Sequence, residues 1–261
     1  MNDAGGNEHH RHAVRAAREA GALAMTFFGR DFEKWDKGKN NPVTAADIAV
    51  DQLLRQRLRA FAPDYGWLSE ESADDNSRRT ARRVWVVDPI DGTRAFIRGQ
   101  PYFAVSIALL ENDRPISAVI YNPATDELFE ARAGGPALLN GIAVRVSAKS
   151  ELQDARMLAA KGLFQHKRWT KPWPDMHVEQ RNSIAYQLAL TAAGHFDGCM
   201  NLWGAYDWDL AAAELILRNA GGHITDHTGA DLQFNRETLR HASIVAANPA
   251  LHGLLLERME Q

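Results

Sequence analysis

The chain has 261 residues, 45% of them hydrophobic and 24% charged, enough to bury a large core in one large or two moderate domains. Its net charge of -3, from 33 acidic and 30 basic side chains, gives no long-range pull toward nucleic acid or an anionic membrane. The single cysteine, Cys199, excludes an intrachain disulfide and a thiolate-rich zinc site; with no signal-like core and no apolar run of roughly 18 residues, a cytoplasmic location is expected.

Residues 1–10 are polar and read as a loose tail. From about His12, Val14, Ala17, Gly21, Ala24 and Phe28 recur at three- and four-residue steps, which predicts a helix with one apolar face. The polar stretch DFEKWDKGKNNP leads to a second helix opening near Thr44, with Val50, Leu54, Leu58 and Phe61 along one side and Pro63-Asp64 as its stop. Val84-Trp85-Val86-Val87 is a strand-like run that ends at Asp88-Pro89. Phe103, Val105, Ile107 and Leu109 alternate with smaller residues, and the turn at 111–114 leads to Ile116 through Tyr121. This pattern predicts a hairpin with a slightly long loop, then short strands at Leu128-Phe129 and Val144 to Val146. Residues 1–146 thus form an α+β unit.

Ser147 to Asp154 is a polar boundary, and residues 147–261 read as a second, α/β unit. It holds a strand at Arg156 to Ala160, the tryptophan- and proline-rich loop KRWTKPWPDM, a helix at Ser183 to Ala193 and a strand at His195 to Met200. A helix from Asp209 to Ala220, closed by Gly221-Gly222, precedes a strand at Ser243 to Ala247 and a last helix at Pro249 to Met259. The 209–220 helix is apolar nearly all round, so it is expected between two layers, with its first turn inside the protein.

Asp88-Pro89-Ile90-Asp91-Gly92-Thr93 is the most informative segment. Two carboxylates this close at the end of an apolar strand repel each other unless a cation lies between them. Mg2+ suits aspartates and a backbone carbonyl such as that of Ile90, and the Gly92-Thr93 amides suit phosphate oxygens. On its own the segment also fits a plain turn. Ser69-Glu70-Glu71-Ser72 supplies paired acids, one able to face a cleft and the other solvent. Asp209 opens the buried helix, where capping alone would account for it. Thr44 and Asp47 likewise resemble a capping box.

TAAD (44–47), SEES (69–72), WVVDPIDGT (85–93) and YDWDLAAAE (206–214), in this order, resemble the inositol monophosphatase superfamily of magnesium-dependent, typically lithium-sensitive phosphatases. The resemblance implies a layered αβαβα sandwich of the inositol monophosphatase / fructose-1,6-bisphosphatase type, two or three Mg2+ per active site, and a homodimer. It makes Glu70, Asp88 and the Ile90 carbonyl ligands of one metal and Asp88, Asp91 and Asp209 ligands of another. Asp47 and Thr93, with Glu70, would activate the attacking water, and Gly92 and Thr93 would receive the phosphate.

The sequel Arg94-Ala95-Phe96-Ile97 looks closer to relatives acting on 3',5'-bisphosphorylated adenosine or histidinol phosphate than to inositol enzymes. Seven positions before Asp209, where inositol enzymes carry an acid, stands Leu202, with Asn201 as a possible substitute. Arg94 or Arg98 could meet a second phosphate, and Trp203 or Tyr206 could stack on a base. The expected activity is therefore a 3'(2'),5'-bisphosphate nucleotidase, with inositol-1-monophosphatase or histidinol-phosphate phosphatase as alternatives, and a non-catalytic metal- and phosphate-binding protein as an alternative of another class. Lys167 to Trp173 mixes charge with aromatics but reads as a surface loop or a lid over a small substrate, not a nucleic-acid site. His9, His10 and His12 fall in the expected tail, and His223 and His227 in a strand and turn; neither set reads as a metal site.

Overall fold

The computed structural model describes residues 4–30, 33–36, 42–74, 76–167 and 169–259; the side chains of 4–6, 36 and 42 are excluded. Residues 1–3 of the expected tail, much of the polar stretch before Thr44, and Arg168 lie outside that description. The rest of the tail is already helix: α1 runs Ala4–Phe27. Its polar start is held by side-chain partners that local pattern does not show. Buried His10 bonds Ser117 and Glu130, each at 2.9 Å, His9 meets the Tyr65 hydroxyl at 2.6 Å, and His12 stacks on Phe61.

The short strands β1 (Lys34–Asp36) and β2 (Pro42–Thr44) pair before α2 (Ala45–Phe61). A seven-stranded sheet follows in chain order: β3 (Gly66–Ser69), β4 (Arg83–Asp91), β5 (Ala104–Glu111), β6 (Arg114–Asn122), β7 (Glu127–Arg132), β8 (Ala137–Leu139) and β9 (Ile142–Ala143). The five-residue helix α3 (Thr93–Ile97) lies between β4 and β5. Only β3 and β4 run parallel. The β5–β6 loop is tighter than expected: Glu111 pairs with Arg114, and Asn112 and Asp113 both take positive φ, the two-residue turn that matches strand twist. The last strand falls at Ile142–Ala143, not at 144–146, because the Asn140-Gly141 turn pairs Leu139 directly with Ile142.

A mixed five-stranded sheet, ordered β11-β10-β12-β16-β14, is built from β10 (Arg156–Ala159), β11 (His177–Glu179), β12 (Gly198–Asn201), β14 (His223–Thr225) and β16 (Ile244–Ala247). The helices α4 (Ile184–Ala192), α5 (Asp207–Asn219) and α6 (Pro249–Met259) complete the set, with β13 (Ala205–Tyr206) and β15 (Arg240–His241) paired beside the start of α5. Strand alternation sorts the side chains into layers. Trp85 and Val87 face α1 and α2, whereas Val84 and Val86 face α4 and α5. Leu158, Cys199 and Ala246 cover α4 and α5 from the other side, and Met157, Met200 and Val245 turn outward to α6. The order is helix, sheet, helix, sheet, helix, so α5 is sandwiched between the two sheets.

Candidate active site and metal centre

β4 does not stop at Asp88. It continues through Pro89 to Asp91, and its register against β5 shifts there: Asp88 faces Ser106 while Asp91 faces Ala104. Three steps on β4 match two on β5, so one extra residue bulges out. In an unbroken strand, positions 88 and 91 would point to opposite faces; the bulge lets both acids turn to one side. Proline is tolerated at such an irregularity.

The other contributor arrives from α5. Tyr206 caps that helix, and Asp209 sits in its first turn with Oδ2 accepting the Tyr206 N–H at 2.7 Å. The capping role is therefore real, and it leaves the carboxylate at the same place as the β4 acids. Asp88, Asp91 and Asp209 each offer an oxygen lying within 4.8 Å of the others. Asp88 is 1% exposed; its Oδ1 accepts the Ile90 N–H at 3.0 Å, and its buried Oδ2 has no hydrogen-bond partner among the described residues. Asp91 is oriented by two donors on one oxygen, Ser183 Oγ at 2.7 Å and the Ala185 N–H at 2.6 Å.

α2 brings Asp47 to the same region. Its Oδ2 accepts from the backbone and hydroxyl of Thr44, closing a capping box, and its Oδ1 accepts from Thr93 Oγ at 3.2 Å. Thr93 Oγ also lies 3.2 Å from the Ile90 carbonyl, so its single hydrogen chooses between two acceptors. Gly92 has φ +96°, and a Cβ there would meet the Tyr102 carbonyl at 2.7 Å and Ser183 Cβ at 3.0 Å. Only glycine fits this turn. Of the paired acids, Glu70 lines the cleft, but Glu71 does not turn out to solvent. Its Oε2 is buried, and its charge acts on Asp47.

Glu70, Asp88, Asp91 and Asp209 line a cleft of about 790 Å³ whose lining also includes Arg94, Asn182, Asn201, Trp203, Tyr206 and Trp208; Asp47 lies behind Thr93, outside that lining. Leu202 is absent from that lining and packs instead against the outer apolar cluster with Met200 and Val245. Asn201 spans the turn beside it, donating to the Gly204 carbonyl and accepting the Trp203 N–H. Tyr206 already stacks on Trp208, ring centres 4.8 Å apart. Arg98 does not line the cleft. Nor do the described residues of the tryptophan loop, where Trp169 donates to the Leu163 carbonyl and Phe164, Trp169 and Trp173 pack edge to face. His223 opens β14 and His227 follows that strand, bonding Ser243; neither lines the cleft. Ser183 and Asn182 were not singled out by sequence, although Ser183 preceding an apolar helix was the available signal.

Burial raises the proton affinity of Asp47, Asp88, Asp91 and Asp209, and neighbouring acids add to it at Asp47, Asp88 and Asp209. Desolvation lifts Asp47 and Asp91 to about 6, and desolvation with repulsion from Glu70 and Asp91 lifts Asp88 far above the ordinary range. Asp209 is raised by the same two causes. Among the described residues that line the cleft with Asp88, Asp91 and Asp209, Arg94 is the one basic side chain. Hard oxygen donors, an unpartnered buried Asp88 oxygen and excess negative charge fit a divalent cation such as Mg2+.

Similarity to known proteins extends over nearly the whole chain. The inositol monophosphatase family model matches residues 7–261. An inositol-1-monophosphatase of Rhizobium meliloti is 34% identical, covering 95% of this chain and 94% of its own. Nus factor SuhB of Escherichia coli K12 is 36% identical over the same shares. Among solved structures, the extragenic suppressor protein suhB of Bartonella henselae superposes with a TM-score of 0.84 at 31% identity, covering 96% of this chain and 98% of that one. A cleft that gathers buried acids, on a scaffold shared from end to end, makes this chain a member of the inositol monophosphatase family, a metal-dependent hydrolase of small phosphate monoesters.

Proposed function

We propose that the chain hydrolyses a hydroxylated monophosphate of the inositol-1-phosphate type, with Glu70, Asp88, Asp91, Asp209 and the Ile90 carbonyl holding Mg2+. The observation that carries the metal assignment is the unpartnered Oδ2 of buried Asp88 beside Asp91 and Asp209. Bound Mg2+ supplies the positive charge that acidifies the attacking water and stabilises the leaving alkoxide. Thr93 aims that water: with its hydrogen donated to Asp47 Oδ1, the lone pairs of Oγ accept a water hydrogen. Asp47, raised to about 6, is matched to receive a proton through Thr93 near neutral pH. The Gly92 and Thr93 amides, at the start of α3 with no carbonyl a turn behind them in that helix, receive phosphoryl oxygens.

For the substrate, the inositol monophosphatase reading is better supported than the bisphosphate nucleotidase expected from Arg94-Ala95-Phe96-Ile97. Among the described residues lining the cleft, Arg94 is the single basic side chain, and a second phosphate needs a second cationic contact. Relatives named inositol-1-monophosphatase match at 33% and 34% identity. Parallel phosphate-release assays on inositol 1-phosphate, 3'-phosphoadenosine 5'-phosphate and histidinol phosphate test the reading. The highest kcat/KM is expected for inositol 1-phosphate, with activity abolished by chelator and by Asp91→Asn. Preference for the bisphosphate would overturn the substrate, and full activity in chelator would overturn the metal.

A further inference from the structure

α2 carries a second buried acid one helical turn beyond Asp47. Asp51 is 6% exposed, and its two oxygens take hydrogens from hydroxyls on either side of Glu70-Glu71. Ser69 Oγ donates to Oδ1 at 2.5 Å, and Ser72 Oγ donates to Oδ2 at 2.8 Å. Each serine passes the restraint on: Ser69 Oγ accepts the Glu71 N–H at 3.3 Å, and Ser72 Oγ accepts Trp67 Nε1 at 3.2 Å. The Glu70 N–H donates to the Val87 carbonyl at 3.3 Å, which ties the same turn to β4 just before Asp88. Among the described residues no lysine, arginine or histidine forms an ion pair with Asp51.

A buried carboxylate without a cation is costly unless hydrogen bonds satisfy it. Here both oxygens are used, and both bonds are of the strong charge-assisted kind. An amide in its place would have one acceptor oxygen, whereas the two oxygens of Asp51 accept from the hydroxyls at both ends of the turn.

We propose that Asp51 is a positioning residue that aims Glu70 into the cleft and thereby sets Mg2+ affinity. This rests on the reading above that Glu70 is a metal ligand. Asp51 does not line the cleft; it acts through Ser69 and Ser72. Its effect should therefore appear in metal affinity and vanish where metal is saturating.

The test measures Mg2+ binding by calorimetry, the Mg2+ half-saturation of phosphate release, and substrate KM at saturating Mg2+. Wild type, Asp51→Ala, Asp51→Asn, Ser72→Ala and Glu70→Gln are compared, each checked for folding by circular dichroism. Mg2+ binding should weaken about tenfold in Asp51→Ala, at the low end for residues that orient metal ligands. Asp51→Asn and Ser72→Ala should lose less, with KM at saturating Mg2+ unchanged within about twofold and kcat recovered by excess metal. Asp51→Ala added to Glu70→Gln should weaken Mg2+ binding no further, because the two residues act in series. If Asp51→Ala fails to fold, Asp51→Asn and Ser72→Ala decide.

Folded variants with wild-type Mg2+ affinity would overturn the proposal. So would a loss of kcat that excess Mg2+ does not restore. A wild-type protein that binds no Mg2+ and releases no phosphate would instead sink the proposed function, and this inference with it.

Discussion

Ser183 and Asp91 meet across 92 positions of sequence, the hydroxyl of the serine donating to Asp91 Oδ2 at 2.7 Å at the N-terminus of α4. The same Oγ accepts the Tyr186 N–H, so one side chain both caps the helix and fixes a carboxylate of the acid cluster. Ser183→Ala removes both bonds. It should destabilise the protein by about 2 kcal/mol, the scale of one hydrogen bond to a charged group plus a cap. Urea unfolding measures that cost. Mg2+ half-saturation should rise in the same variant, and a variant with unchanged stability and unchanged metal affinity would contradict the role given to Ser183.

Gly92 follows Asp91 in the chain and packs against Ser183. Its φ of +96° and the Tyr102 carbonyl, 2.7 Å from where a Cβ would be, leave no room for alanine. Left-handed backbone alone costs a residue with a Cβ about 1–2 kcal/mol, and the clash adds to it. Gly92→Ala should lower both the unfolding free energy and kcat/KM, because relief requires moving the Gly92-Thr93 turn or Ser183. A Gly92→Ala enzyme with wild-type kcat/KM would show that the turn does not shape the reaction.

How much of this was legible in the sequence depends on the range of the interaction. The strand carrying Asp88, the sandwiched α5 and the capping pair Thr44 and Asp47 follow from local pattern, because alternation and helix-start signals act over a few residues. The bulge at Pro89-Ile90 does not follow, because it is defined by register against β5. The helical start of α1 was hidden for a similar reason. His10 looks like tail until Ser117 and Glu130, more than a hundred residues away, are brought beside it. Asp51 carried a readable hint, its four-residue spacing from Asp47 on one helix face, but its partners Ser69 and Ser72 come from another element. Leu202 shows the opposite failure: counting back from Asp209 points to the cleft, yet the chain turns at Asn201 and seats that side chain in the outer apolar layer.

At Thr93 the proposed aiming of water can be tested apart from metal holding. Its Oγ lies 3.2 Å from Asp47 Oδ1 and from the Ile90 carbonyl, and Thr93→Val keeps the shape while removing the hydroxyl. The variant should lose kcat by about a hundredfold, the lower range for a group that manages a proton in the transition state. Calorimetric Mg2+ affinity should stay within about twofold of wild type, since the cluster acids are untouched. Equal losses in kcat and Mg2+ affinity would place Thr93 in the metal site instead.

Arg78 is a wholly buried arginine, and its partners explain how it is tolerated. The guanidinium donates to Asp74 Oδ2, at 2.7 Å by its shorter bond, to Asn235 Oδ1 at 2.6 Å and to the Arg236 carbonyl at 3.2 Å. Asn235 in turn gives its N–H to Asp207 Oδ2, at the first residue of α5. Arg78→Ala leaves the buried Asn235 Oδ1 without its donor, while Asp74 stays in contact with water, and should cost about 1–3 kcal/mol. Thermal and urea unfolding check it; a loss under 1 kcal/mol, by the same accounting, would mean water replaces the guanidinium at little cost.

The pH dependence of the metal-free protein follows from the acid cluster. In the unfolded chain Asp47 and Asp91 titrate near 3.8, and in the folded protein burial lifts both to about 6. Between those values the folded state binds more protons than the unfolded one, so stability falls as pH rises. In chelator, the contribution of these groups is therefore fully present below pH about 4 and is lost as pH passes through 6. Asp88 and Asp209 are shifted in the same direction and extend the loss upward. Asp197 and Asp226, whose proton affinity is lowered by hydrogen bonds, act in the opposite sense, so the cluster is isolated by difference. Asp91→Asn removes one of the repelling charges while leaving an oxygen to accept from Ser183. In chelator at pH 7.5 it should melt higher than wild type, and its melting temperature should decline less between pH 4.5 and 7.5. With Mg2+ present the order should reverse, because the wild-type acids bind the ion only when deprotonated and the gain grows with pH. Parallel melting curves for both proteins, with chelator or Mg2+, would refute the account of the cluster as a strained, charge-repelling metal site.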